Sequence, residues 1–221
     1  MLQEVRALDT SAPYLRRVMA ENDDRGLQFD SGNATISIDP ATATIVVREG
    51  RFQRILSFDE ALLLAVRRYH SPVRTAVARA LTRAGDAKSW TVLGVGLLAT
   101  FTMRGAHLGL RLATAASIAT LFSQTLKRSL TRARPDMSIA GFEPLAANPD
   151  RFSFPSGHTA AAFGVAVAFA GEPFSLGPLA LLLAVGIGLS RVYLGAHYPL
   201  DVGAGALLGV FAGVAARLLV A

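Results

Sequence analysis

Long runs of apolar residues dominate the chain from residue 89 onward. Arg111 is the only Lys, Arg, Asp or Glu within these runs, which cover residues 89–103, 105–126, 152–171, 173–190 and 202–216. A membrane-spanning helix needs about 20 mostly apolar residues, and several of the runs reach that length only with flanking residues. The pattern predicts an all-α fold, an integral membrane bundle of about five or six helices. A soluble helical core is the alternative.

Apolar positions alternate with arginines in residues 51–88, and Pro72 predicts the start of a second helix there. Such basic amphipathic helices can lie in the membrane interface, with arginine side chains extended to the headgroups. In a second interpretation, residues 55–71 cross the membrane. The choice between the two decides which side of the membrane residues 127–201 face, and both remain open.

Residues 1–50 form a predicted polar extension, followed by a membrane domain over residues 51–221. Two β-like runs, Thr35–Ile38 and Thr44–Val47, flank Pro40 and either pair as a hairpin or are loosely ordered. The first residues contain acidic side chains and no apolar core segment, so we do not expect a secretory signal peptide.

Composition and charge favour a membrane protein that handles anions. Of the 221 residues, 52% are hydrophobic and 17% are charged, against about 25% charged in ordinary soluble domains. The net charge is +6, and residues 51–221 carry 17 Lys or Arg against eight Asp or Glu. There is no cysteine, which excludes thiolate chemistry and disulfides. No basic tract with interleaved aromatic residues indicates nucleic-acid binding.

Two polar clusters interrupt the apolar pattern in its middle. Lys127 and Arg134 are seven residues apart and share a helical face if the helix continues to Pro135, whereas Arg128 and Arg132 are expected to point elsewhere. A basic helix end at a membrane surface is the alternative. Pro155-Ser156-Gly157-His158 predicts a helix start, with Ser156 as N-cap, whose free amides can bind an anion. An ordinary cap with an incidental histidine is the alternative.

A third cluster contains Arg191, His197 and Asp201, and Pro199 predicts a helix start between the last two. The four-residue spacing can place the Asp201 carboxylate beside the imidazole, fixing its tautomer and leaving Nε2 as a base or nucleophile. Helix capping with an interfacial histidine is the alternative. If the helices alternate in direction, three cations, two imidazoles and a helix N-terminus converge in a pocket suited to a phosphoryl group.

The motifs K-x6-RP (127–135), PSGH (155–158) and SR-x5-H-x3-D (190–201) resemble the three signatures of the type 2 phosphatidic acid phosphatase (PAP2) superfamily. They span about a third of the chain. The resemblance implies a phosphohistidine at His197, oriented by Asp201, and a leaving-group proton from His158. It implies that phosphate is bound by Lys127, Arg134, Ser156, Gly157 and Arg191. No metal or other cofactor is implied.

The resemblance therefore predicts an integral membrane phosphatase, in the bacterial inner membrane, acting on a lipid phosphate or diphosphate. Polyprenyl substrates come first, then phosphatidic acid or phosphatidylglycerol phosphate. A non-catalytic lipid-phosphate binder or transporter is the alternative, and vanadium-dependent haloperoxidation a more remote one. The expected partners are the substrate and membrane lipids, not nucleic acid. The sequence indicates no particular oligomeric state.

Overall fold

The computed structural model describes residues 3–5, 28–30, 34–39, 44–49, 51–147, 150–172 and 176–220. Two compact units divide the chain, Met1–Glu60 and Ala61–Ala221. The function of residues 1–50 and the absence of a signal peptide concern residues that lie mostly outside the described part, so those expectations and the predicted boundary at residue 50 stay predictions.

A four-stranded antiparallel sheet is present in the first unit. Its strands are β1 (Gln3–Val5), β2 (Gln28–Asp30), β3 (Ala34–Asp39) and β4 (Thr44–Glu49), in the order β1-β4-β3-β2. Of the two alternatives for the β-like runs, the hairpin is confirmed: β3 pairs with β4, and Ile36 lies opposite Val47. The predicted all-α fold is therefore wrong for these residues, because alternating β-branched runs form strands there.

Eight helices make up most of the rest of the described chain. The helices are α1 (Arg51–Arg67), α2 (Pro72–Ala84), α3 (Ala87–Leu98), α4 (Met103–Leu130), α5 (Pro135–Ser138), α6 (Gly157–Ala168), α7 (Leu176–Tyr193) and α8 (Pro199–Leu219). These eight exceed the expected five or six, because residues 51–88 form three helix starts and Pro135 begins a single helical turn. Pro72 and Pro199 begin helices as predicted.

Within the described residues, two helices are long and apolar enough to cross a membrane, α7 with a mean hydropathy of 1.7 and α8 with 1.9. The apolar helices α3 and α6 have only 12 residues each. The run predicted over 152–171 becomes helical only from Gly157, after Pro155. Residues 173–175 of the next predicted run lie outside the described residues.

Helix α8 packs closely on α6 through a stripe of glycines at 205, 209 and 213. A Cβ at Gly205 would lie 2.5 Å from the carbonyl oxygen of Ser156, and one at Gly213 would lie 2.6 Å from that of Gly164. Only residues without a side chain allow backbones to approach so closely. The stripe thereby brings the start of α6 against the start of α8.

Candidate active site

Backbone hydrogen bonds hold the three polar clusters together. The amide of Ser153 donates to the carbonyl of Arg132 at 2.8 Å, which joins the segment before α6 to the segment after α4. The amide of Ser156 donates to the carbonyl of Asp201 at 3.0 Å, which joins the start of α6 to the first turn of α8. The clusters therefore meet at one end of the helices.

Lys127 and Arg134 converge, although not on one helical face as predicted. Helix α4 ends at Leu130, where Thr131 has a left-handed conformation with φ 42° and its amide donates to the carbonyl of Lys127. Arg134 is extended, because the residue before a proline disfavours helical geometry. The chain therefore turns back, and the two cations meet through this turn.

Asp150 binds both of these cations, and sequence reasoning did not identify it. Its Oδ2 accepts from Nζ of Lys127 at 2.7 Å, and its Oδ1 accepts from Nε of Arg134 at 3.1 Å and from Nη2. Nη1 of Arg134 donates to the carbonyl of Ala196 at 2.6 Å. Burial alone would raise the pKa of Asp150, but the hydrogen bonds and charges of Lys127 and Arg134 outweigh it and lower that pKa.

Arg191 is the third predicted cation, and only 3% of it is exposed. Its Nη1 donates to Oγ1 of Thr82 at 3.2 Å. Its Nε is buried without a hydrogen-bond partner in the described part of the chain, as is the hydroxyl of Ser123 nearby in the same cavity. Unpaired buried donors are costly, so these two groups are candidates for binding a ligand.

Ser156 and Gly157 form the start of α6, as predicted. The hydroxyl of Ser156 makes no capping bond and instead accepts from Oγ1 of Thr159 at 2.9 Å, so the predicted cap is present in position only. A Cβ at Gly157 would lie 3.0 Å from Oγ of Ser123, which shows how close the α6 start comes to α4.

His158 lies at the same helix start and contacts an acidic residue that sequence reasoning missed. Its Nε2 is 2.8 Å from Oδ1 of Asp86, at the junction between α2 and α3. The exposed fraction of the side chain is 24% for His158 and 46% for Asp86. The imidazole therefore borders the cavity and has a carboxylate partner.

His197 is almost fully buried, and its two ring nitrogens face opposite charges. Nε2 lies 3.4 Å from Nη1 of Arg134. Nδ1 lies 3.6 Å from Oδ2 of Asp201, so the carboxylate is beside the ring as predicted but beyond hydrogen-bond distance. Burial lowers the pKa of His197 well below its ordinary value, and the cations Arg191, Arg134 and Lys127 lower it further. Both effects favour the neutral form of the imidazole.

Asp201 is held by two other donors. Its Oδ2 accepts from the amide of Tyr198 at 2.8 Å, and its Oδ1 accepts from Nη1 of Arg132 at 2.7 Å. The guanidinium of Arg132 also lies over the Tyr198 ring, 4.0 Å from its centroid. The prediction that Arg132 points elsewhere was wrong, because it was judged from its place on a helix that ends before it.

A cavity of about 760 Å³ begins at these groups and extends between α3 and α4. Its polar end contains six of the eight predicted site residues, which are Lys127, Arg134, Gly157, His158, Arg191 and His197. Ser156 and Asp201 do not border it. Its other walls are mostly small or apolar side chains at helical spacing, such as Trp90 and Gly94 on α3 and Leu112 and Ala116 on α4. The cavity suits an anion with an apolar tail.

Five residues that sequence reasoning missed support the site, and they are Thr82, Asp86, Ser123, Arg132 and Asp150. Each binds or adjoins a predicted residue that is distant in sequence, as in the contact between Asp86 and His158 across 72 positions. No motif or periodicity marks them. Only an acidic side chain within a basic stretch, as at Asp86, could have drawn attention.

Several known proteins are similar to this chain in sequence or in fold. A lipid A 1-phosphatase from Rhizobium johnstonii is 38% identical over 97 residues, 41% of this chain and 39% of that protein. A decaprenylphosphoryl-5-phosphoribose phosphatase from Mycobacterium tuberculosis is 33% identical over 143 residues, 64% of this chain and 78% of that protein. The chain spans less than half the length of several curated relatives, the lipid A phosphatase among them.

The fold also matches the crystal structure of a transmembrane PAP2-type phosphatidylglycerolphosphate phosphatase from Bacillus subtilis. The TM-score is 0.64 with 28% identity, covering 75% of this chain and 86% of that one. The sequence profile of the PAP2 superfamily matches residues 108–221, more than half of the chain and all three motifs. The chain therefore belongs to the PAP2 superfamily.

Proposed function

We propose that residues 51–221 form an integral membrane phosphatase that hydrolyses a lipid phosphate or diphosphate through a phosphohistidine at His197. One observation carries the proposal: a buried imidazole faces a cluster of cations at the end of an apolar cavity. Phosphoryl transfer depends mostly on positioning and on stabilising negative charge, which this cluster supplies.

The first step is attack by His197. The lone pair on Nε2 forms a bond to phosphorus, while the bond from phosphorus to the leaving oxygen breaks and its electron pair goes to that oxygen. His158 gives the leaving oxygen a proton. The phosphorylated imidazole carries a positive charge, which the nearby carboxylate of Asp201 stabilises.

The second step releases phosphate. Water attacks phosphorus, its proton passes to the now neutral His158, and the bond between Nε2 and phosphorus breaks with its electron pair returning to His197. Both histidines regain their starting protonation states, as a catalytic cycle requires.

Phosphate oxygens are bound by Lys127, Arg134 and Arg191, the last of which has a buried Nε without a partner in the described chain. The amide of Gly157 adds the N-terminus of α6, a favourable position for an anion. A hydrogen bond from the hydroxyl of Ser156 stays a prediction, because that side chain does not border the cavity.

Membrane insertion is proposed from the outer surface of the helices. Large apolar side chains there are exposed, as for Leu182 (70%) on α7 and Leu207 (75%) and Leu218 (76%) on α8, whereas Arg134 and Asp201 are buried inside. This arrangement suits lipid better than water as the surrounding solvent. We place the protein in the inner membrane of a bacterium.

The substrate is proposed from the cavity and from relatives. An apolar space of about 760 Å³ next to the cations fits part of a lipid chain. A polyprenyl phosphate or diphosphate is our first choice, which the similarity to a decaprenylphosphoryl-5-phosphoribose phosphatase supports. Phosphatidic acid and phosphatidylglycerol phosphate come next.

The test is phosphate release by purified protein in detergent micelles, with EDTA present, from a polyprenyl diphosphate, a polyprenyl monophosphate and phosphatidic acid. His197→Ala should lower the rate at least about 10³-fold, because it removes the nucleophile. His70→Ala, an exposed histidine, should retain it. Tight binding of these lipids without release would favour the binder or transporter, and loss of release in EDTA would contradict metal independence.

A further inference from the structure

Asp86 occupies a helix N-cap position without acting as a cap. It precedes α3, where an aspartate normally accepts hydrogen bonds from the first-turn amides. Its side chain makes no such bond. Instead Oδ1 lies 2.8 Å from Nε2 of His158 on another helix. The carboxylate is thus directed away from its usual local use and toward the proposed active site.

The backbone around Asp86 is firmly held, so this direction is built into the fold. Its amide donates to the carbonyl of Arg83 at 3.1 Å, and its carbonyl accepts from the amide of Ser89 at 3.0 Å. The indole of Trp90, which is 7% exposed, donates to the carbonyl of Gly85 at 3.1 Å. A Cβ at Gly85 would lie 2.8 Å from Ile187, so this corner packs tightly against α7.

Burial and most of the charges around His158 oppose a proton on its ring. The groups that face it electrostatically are Asp86 from the α2–α3 junction, Arg191 from α7, Lys127 from α4 and His197 from the segment before α8. Two of these are cations that oppose a positive imidazole, and the lowered pKa of His197 favours its neutral form. Asp86 is the carboxylate among them, and a carboxylate at hydrogen-bond distance favours the imidazolium.

We propose that Asp86 is a positioning residue that orients His158 and favours its protonated form, which its function as general acid requires. This inference rests on the proposed phosphatase function. Nε2 of His158 donates to Asp86, which leaves Nδ1 for the substrate, and within the described chain no protein group bonds Nδ1. The Nδ1 proton passes to the leaving oxygen as the bond to phosphorus breaks, while the Nε2 proton stays between the ring and Asp86.

The first test is the pH profile of kcat/KM for the lipid that wild type hydrolyses. Without the carboxylate, His158 loses its proton at lower pH, so Asp86→Asn should move the basic limb down by about one unit. A neighbouring opposite charge shifts a pKa by about one to three units, and we expect the smallest of these shifts because the carboxylate is half-exposed. Asp86→Glu should restore much of the limb, and Asp136→Asn, an exposed carboxylate, should leave it unchanged.

A second test separates an effect through His158 from a structural one. Alone, Asp86→Asn should lower kcat about tenfold, which is part of the roughly 10²–10⁴-fold that general acid catalysis contributes. In a His158→Ala background, the same substitution should lower kcat little further. An unshifted basic limb, or an equal further loss in the double variant, would overturn the inference while leaving the phosphatase function in place.

A third test does not need turnover. The imidazole of His158 can be titrated by NMR in detergent, with its signals assigned from His158→Ala, in wild type and in Asp86→Asn. We expect a lower pKa in the variant, by about one unit. An unchanged pKa overturns the inference even in a protein without activity, whereas a lowered pKa in an inactive protein would leave the pairing intact and refute the phosphatase instead.

Discussion

If Lys127 and Arg134 bind the substrate phosphate as proposed, Asp150 occupies the position of that phosphate, and its removal should strengthen anion binding. Its carboxylate oxygens lie 2.7 Å from Nζ of Lys127 and 3.1 Å from Nε of Arg134. A phosphate held by both cations would have oxygens in the same place. The carboxylate must therefore move aside or repel the ligand, and Asp150→Asn should relieve that competition.

The size of the effect follows from Coulomb's law. Two unit charges about 4 Å apart interact by about 1 kcal/mol in water and about 4 kcal/mol at an effective dielectric constant of about 20. The side chain of Asp150 is 34% exposed, so an intermediate value applies. About 2 kcal/mol corresponds to inorganic phosphate inhibiting the variant about 30-fold more tightly than wild type.

The assay is the inhibition constant of inorganic phosphate during lipid hydrolysis, with Asp136→Asn as control for an equal change in net charge. Because the pKa of Asp150 is lowered, its carboxylate stays charged over about pH 5 to 8, and the difference should persist throughout that range. Equal or weaker inhibition in Asp150→Asn would refute the reasoning, since the carboxylate would then organise the cations rather than compete with the ligand.

Three further predictions concern packing, support of the site and pH. Gly209→Ala places a methyl group against the backbone of Ala160, so it should lower the free energy of unfolding by about 1–3 kcal/mol. The measurement is a lower Tm in detergent. Gly203→Ala is the control, because the space around Gly203 is open and its Tm should not fall. Arg132→Met should lower kcat about tenfold or more, because the buried Asp201 loses this cation. KM should change little, because Arg132 does not border the cavity. An effect on KM alone would contradict this prediction. Because the pKa of His197 is lowered in the folded protein, the unfolded chain binds more protons than the folded one below about pH 6.5, and stability falls as pH drops. The Tm difference between pH 7 and pH 5 should therefore be smaller in His197→Asn than in wild type.

Local chemistry made much of the site readable from the sequence. Prolines and glycines act over one or two residues, so Pro72, Gly157 and Pro199 marked helix starts that the structure contains. Polar residues in apolar segments are costly, which singled out Lys127 and Arg191. The convergence of these groups was inferred, and the structure places six of the eight predicted residues around one cavity.

Helix lengths and the contact partners of site residues were harder to predict from the sequence. The end of α4 at Leu130 depends on the backbone of Thr131, a residue with no strong preference for that conformation, so Arg134 was placed on the wrong element and Arg132 was dismissed. The strands of residues 1–50 were read only in part, because β1 and β2 are three-residue segments that depend on pairing with distant strands.

The sequence by itself determined the classes of chemistry: apolar helices, two histidines, three cations and the PAP2 motifs that contain them. These signals are local, since each follows from residue type and spacing within one segment. Only the tertiary structure decided which charges meet. Asp150 on Lys127, Asp86 on His158 and Arg132 on Asp201 join positions 23, 72 and 69 residues apart, and the glycine stripe between α6 and α8 sets how closely their backbones approach. Electrostatic energies depend on distances in space, and such distances follow from packing rather than from order along the chain.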